Sequence, residues 1–111
     1  MPSALKTALN LVAALAAPAA AFSGDLTYYS PGLGACGLTH TDSDAIVAVS
    51  PSRDGNCGRT ININYNGRVA SATVADKCMG CVGDSIDVSP AVFQQLEDTG
   101  AGRISVDWEW A

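Results

Sequence analysis

Asn66-Gly67 stands between two runs of alternating residues, Thr60 to Tyr65 and Arg68 to Asp76. A two-residue type I′ turn needs positive φ at both positions, which Asn and Gly adopt most readily. Such a turn fixes the pairing: Tyr65 faces Arg68, Ile63 faces Ala70, Ile61 faces Ala72 and, with no bulge, Cys57 faces Asp76. Ile61, Ile63, Ala70, Ala72 and Val74 then share the core face, and Asn62, Asn64, Ser71 and Thr73 the other. By the same parity Asp76 ends the apolar face, where partial desolvation would favour its neutral form.

The remaining pattern is also of short strands between Gly-rich turns. Leu26 to Ser30, Ala45 to Ser50, Ser85 to Val88 and Arg103 to Trp110 read as strands. Ser89-Pro90 opens a helix with Ser89 as N-cap and Pro90 at N1; Val92, Phe93 and Leu96 form its apolar stripe, and Gly100 ends it. Six short strands and one short helix predict an all-β fold, a small closed barrel. His40, in a polar loop with Thr39, Thr41, Asp42 and Ser43, reads as a solvated histidine. Trp108 is expected in the core and Trp110 at an exposed end.

Fifteen of the first 21 residues are apolar, and this stretch is a different kind of polymer from the rest. Lys6, the apolar run Ala8 to Ala17 and the small residues Ala19-Ala20-Ala21 read as a secretory signal peptide over residues 1–21, cut before Phe22. The stretch is short for a membrane anchor, and no basic cluster follows it. The domain is then 22–111, extracellular, secreted and monomeric. Five Lys or Arg stand there against 11 Asp or Glu. Such a surface argues against nucleic acid, and against membrane binding once the signal is removed.

Export changes the meaning of Cys36, Cys57, Cys78 and Cys81. An even set in a small exported domain implies two disulfides. Cys78-x-x-Cys81 has the spacing of a zinc half-site, but Cys36 and Cys57 are too far apart in sequence to complete one in the usual way. No metal and no cofactor is expected.

Four pieces occur in a specific order: Thr27-Tyr28-Tyr29, Gly34-Ala35-Cys36-Gly37, Cys57-Gly58 before the hairpin, and Val74-Ala75-Asp76-Lys77-Cys78-Met79-Gly80-Cys81. The last leads into Ile86-Asp87-Val88-Ser89-Pro90-Ala91-Val92-Phe93 and Gly102-Arg103-Ile104-Ser105-Val106-Asp107-Trp108. Over this length the chain resembles the rare-lipoprotein-A-like (RlpA-like) double-psi β-barrel family. It is most similar to the small secreted fungal loosenin and expansin-like members, and more distantly to barwin, the first expansin domain and the family 45 endoglucanases. The resemblance implies a six-stranded double-psi β-barrel with a groove on one side. It also implies the pairing Cys36–Cys57, leaving Cys78–Cys81.

The resemblance further implies a substrate groove formed by Thr27, Tyr28, Tyr29, Asp76 and Asp87. Hydroxyls and aromatic rings suit sugars, whose CH faces are apolar, although strand alternation sends one of the two tyrosines to the core. Asp87 matches the general acid of the endoglucanases. An inverting glycosidase also needs a second carboxylate about 6.5–9.5 Å away to activate water. The matching stretch Thr27-Tyr28-Tyr29-Ser30-Pro31 holds none. The structural alternative is that Asp76 and Asp87 cap loop amides. The chain ends at Ala111, so the flat aromatic cellulose-binding domain of larger relatives is not expected.

The expected function is a secreted barrel that binds or loosens cell-wall polysaccharide (cellulose, chitin or a peptidoglycan-like glycan) without hydrolysis. A second class is a module that binds a secreted protein, as a cysteine-protease inhibitor or effector, through the turn Met79-Gly80 and Val82-Gly83 around Cys81. A third is a lytic transglycosylase or glycosidase with Asp87 as its acid.

Overall fold

In the computed structural model, which describes residues 21–111, six strands close into one barrel. The predicted signal peptide, apart from Ala21, lies outside the described residues. The elements in chain order are β1 (Phe22–Tyr28), β2 (Ile46–Val49), β3 (Thr60–Tyr65), β4 (Arg68–Lys77), β5 (Ile86–Val88), α1 (Pro90–Leu96) and β6 (Ile104–Trp110). Around the barrel they run β1-β5-β2-β4-β3-β6. The pairs β1–β5 and β2–β4 are parallel and the other four antiparallel. This is the all-β barrel with one short helix that the strand pattern predicts.

The hairpin register is as expected, with Tyr65 opposite Arg68, Ile63 opposite Ala70 and Ile61 opposite Ala72. Asn66 and Gly67 both take positive φ, 50° and 84°. The regular register ends at Thr60–Thr73. Beyond it the Val74 amide donates to the Arg59 carbonyl and the Gly58 amide to the Val74 carbonyl, an irregularity that takes Cys57 out of register with Asp76. Inside, Leu26, Val47, Ile61, Ile63, Phe93 and Trp108 are all fully or almost fully buried. Trp108 stacks at a tilt on Phe22, 4.6 Å between ring centroids, and its indole N–H donates to the Asp84 carbonyl at 2.8 Å. Trp110 is half-buried, with the Arg59 guanidinium 4.0 Å above its ring.

Three local expectations are corrected. First, β1 begins at Phe22, four residues before the predicted start, because Phe22 to Leu26 pair antiparallel with Trp108 to Ile104 of β6. Gly24 permits this packing: a Cβ there would lie 2.6 Å from the Asp84 backbone. Second, α1 stops at Leu96, where Glu97 turns extended, and a separate 3-10 turn covers Thr99–Ala101. Ser89 occupies the N-cap position, yet its hydroxyl donates to the Asp44 carbonyl and ties the helix start to the loop before β2. Third, His40 is not solvated. Both of its ring nitrogens are buried without a hydrogen-bond partner, and it lines a small apolar recess with the Cys36–Cys57 bridge.

The disulfides are Cys36–Cys57 and Cys78–Cys81, the pairs that the family resemblance implies. All four cysteines are thereby used. Among the described residues, no group of three or more His, Cys, Asp or Glu could hold a metal ion. Also among them, no helix is long and apolar enough to cross a membrane.

Candidate functional site

The site is organised by one row of residues across four strands. Asp76 of β4 pairs with Ala48 of β2, Ala48 with Asp87 of β5, and Asp87 with Thr27 of β1. Neighbouring rows place Val47 opposite Val74 and Val88, and Val49 opposite Ile86, all in the core. Side chains alternate along a strand, so the row of Ala48 faces outward.

Asp76 reaches this face through an irregularity. Between Val47 and Ala48 the β2–β4 register shifts by one residue, and Ala75 has no partner in β2. A regular strand would have set Asp76 beside Val49 on the core side. The parity expectation for Asp76 is therefore overturned by one extra residue, Ala75, in β4 itself, seen as a register shift against the parallel strand β2. The unpaired Ala75 carbonyl accepts the Cys36 amide at 3.2 Å. Gly34 packs directly on the same carbonyl, where a Cβ would collide with the oxygen.

Asp76 is held by three donors. Its Oδ1 accepts the amides of Ala35 and Lys77, both at 2.8 Å, and its Oδ2 accepts the Tyr29 hydroxyl at 3.2 Å. It does cap a loop amide, as the structural alternative has it, and it also anchors an aromatic residue of the outer face. Burial raises the Tyr29 phenol well above its ordinary pKa. The charge of Asp76, the hydrogen bond to it and the charge of Asp87 add to the shift. Tyr29 thus remains a neutral donor throughout the physiological range.

Asp87 has a single polar partner, the Thr27 hydroxyl, which donates to Oδ1 at 3.0 Å. Burial holds its carboxyl above the usual carboxylate range. The Thr27 hydrogen bond and the Arg103 charge oppose this, and the Asp76 charge adds to it. Asp87 and Thr27 line a recess of about 350 Å³ with Asp25, Arg103, Val82 and the Cys78–Cys81 bridge. Asp76 lines a different recess of about 250 Å³, with Lys77, Asp54 and the Cys36–Cys57 bridge. The backbones carrying the two carboxylates lie two strand spacings, about 10 Å, apart.

Of the expected groove residues, Thr27, Tyr29, Asp76 and Asp87 come together, whereas Tyr28 does not. Its strand partner Val88 is in the core, so Tyr28 turns to the other side of β1. Its ring packs edge-on against Phe93, 4.9 Å between centroids, and its hydroxyl donates to the Thr99 carbonyl at 3.0 Å. The sequence reading did not single out Arg103 and Asp25, which pair at 3.1 Å on the recess wall. Arg103 follows Gly102, whose positive φ turns the chain into β6, and that Gly-Arg step is the local signal for it.

Chemically, the arrangement offers a carboxyl raised towards its protonated form, a hydroxyl, a phenol and a fixed carboxylate. These are groups that give and take hydrogen bonds with a polyol. Asp76 has three of its roughly four lone-pair positions engaged inside the fold, which leaves it poorly placed to activate a water.

No family model matches the sequence. The chain is 45% identical over 89 residues to the allergen Asp f 7 of Aspergillus fumigatus, an alignment covering 73% of this chain and 33% of the relative. The chain thus spans about a third of that relative's length. It is 33% identical over 100 residues to the papain inhibitor of Streptomyces mobaraensis, covering 79% of the chain and 70% of the inhibitor. Among solved structures, a Streptomyces papain inhibitor superposes with a TM-score of 0.77 at 31% identity, covering 83% of this chain and 94% of that one. A mutant Clavibacter michiganensis expansin in complex with cellohexaose superposes with a TM-score of 0.76 at 25% identity, covering 83% and 50%. With this likeness in sequence, strand order and disulfides, the chain belongs to the barwin-like, RlpA-like family of double-psi β-barrels.

Proposed function

We propose that this barrel is exported by a signal peptide at residues 1–21 and binds cell-wall polysaccharide without hydrolysing it. The outer row Asp76, Ala48, Asp87 and Thr27, with Tyr29 bonded to Asp76, carries the reading. Hydroxyl, phenol and carboxyl groups share this row, and Thr27 and Asp87 line a recess of about 350 Å³. The expansin relative in complex with cellohexaose supports a glycan as the ligand. The two disulfides suit an oxidising, extracellular setting. Pull-down on cellulose and chitin, with soluble sugar measured in the same tubes, tests this. Retention without sugar release is expected, and failure to bind either polymer would sink the reading.

A second reading has its own observation. Leu33, Leu38, Met79 and Val82 are 76%, 63%, 76% and 82% exposed. They lie on two loops, each tied by a disulfide and both anchored at the Ala75–Cys78 end of β4. Rigid loops with apolar tips suit insertion into a protein cleft, and the papain inhibitor relatives support such a partner. Papain inhibition that disappears when Met79 and Val82 become Ser would favour this reading.

A further inference from the structure

The cations around the site are already committed. Lys77 follows Asp76 in the chain, yet its ammonium pairs with Asp54 at 3.1 Å. Arg103 shares the recess of Asp87, yet its guanidinium pairs with Asp25 at 3.1 Å. Arg53, the other ion-paired base of the described residues, bonds Asp84 at 2.6 Å. Asp76 and Asp87 therefore have no ion-pair partner among the described residues. Asp76 is met only by two amides and a phenol, and Asp87 only by a hydroxyl. The recess holds two carboxylates against one guanidinium, in a described chain that is itself acidic.

Partly buried carboxylates met only by neutral donors leave a negative field that a ligand can complete. We propose that the groove selects glycans bearing free amines, with the ammonium of a glucosamine unit paired to Asp87. The inference rests on the glycan reading above and names the sugar class it favours. The Thr27 hydroxyl, whose proton goes to Asp87, and the Asp25 carboxylate line the same recess and supply acceptors for the neighbouring ring hydroxyls. An incoming ammonium restores the charged form of Asp87 that burial disfavours. Acylating the amine removes the pairing, and a uronic acid polymer is repelled by the same carboxylates.

Calorimetric titration of the secreted protein with glucosamine hexamer, N-acetylglucosamine hexamer and cellohexaose tests this, at low ionic strength and a pH where the amine is protonated. The glucosamine hexamer is expected to bind about tenfold more tightly than the other two, with the ratio shrinking as salt is added. Asp87→Asn should bring the ratio to about one, while Asp107→Asn, which lies outside that recess, should leave it unchanged. Equal affinities for the three hexamers in the native protein would overturn the amine preference and leave the glycan reading standing. A ratio that survives Asp87→Asn, or falls as much in Asp107→Asn, would also overturn it, because the attraction would then be diffuse. Binding of none of the three would overturn the glycan reading itself and this inference with it.

Discussion

Asp76 and Asp87 stand in one cross-strand row, on strands that are not neighbours, with only Ala48 of β2 between them. Ala48 is 2% exposed, and its methyl group leaves the two larger side chains room on the same face. The row makes Asp87 respond to the charge of Asp76, and Tyr29 to both.

The raised pKa of Asp87 has a definite sign for stability. Its folded form holds a proton more readily than the unfolded chain does, chiefly because of burial. The associated stability is complete below the unfolded value of about 3.9 and is lost as pH rises through the folded value. Asp87→Asn should flatten that loss and raise stability near neutrality, by less than about 1 kcal/mol because solvent screens a half-exposed group. Urea midpoints across acid and neutral pH check this, and parallel profiles for the two proteins would contradict it.

Gly24 and Gly34 are close-approach positions. A Cβ at Gly24 meets the backbone of Asp84 and Ser85 at 2.6–2.7 Å, and one at Gly34 meets the Ala75 carbonyl. Alanine at either should cost about 1–3 kcal/mol through backbone displacement. Gly32→Ala, with nothing within 4 Å, should change stability little. Denaturant midpoints of the three variants would expose any failure of this contrast.

The two disulfides should differ in their contribution. Cys36–Cys57 closes a separation of 21 residues and Cys78–Cys81 one of 3. Loop-closure entropy predicts about 3 kcal/mol for the first and about 2 kcal/mol for the second. Paired Cys→Ala variants, compared by chemical denaturation, give the order directly.

Tyr28 and Tyr29 are neighbours with separate tasks. Tyr29→Ala should weaken retention on polysaccharide several-fold, because it removes the aromatic bonded to Asp76. Tyr28→Ala should instead lower the melting temperature, through lost contact with Phe93, and leave retention alone. Equal retention in the two variants would refute the assignment.

His40→Phe should be neutral or slightly stabilising, since neither ring nitrogen has a partner to lose. A loss above about 1 kcal/mol, measured by urea unfolding, would instead indicate a water bound to the ring.

What the sequence disclosed depended on range. The hairpin register was legible because Asn66-Gly67 determines it within two residues. The ordered Cys, Asp and Gly motifs made the barrel legible through resemblance. The face of Asp76 was not legible, because its position depends on a register shift against β2, more than twenty residues away in sequence. Whether Tyr28 or Tyr29 joined the groove was equally closed to local reading. Alternation gives two phases, and only the pairing of Thr27 with Asp87 chooses between them. Arg103 and Asp25 meet across 78 positions, beyond any local pattern.

The order of strands around the barrel also governs how the chain must assemble. Only β3 and β4 are neighbours both in sequence and around the wall, whereas β1 finds its partners in β5 and β6, at the other end of the fold. A nucleus can begin at the hairpin, but the barrel cannot close until the last strand arrives to join β1 to β3. Contacts of such long range make folding slow, on the scale of milliseconds to seconds. Through that interval β1 exposes its apolar side, so the first strand made is the segment most in need of protection from aggregation.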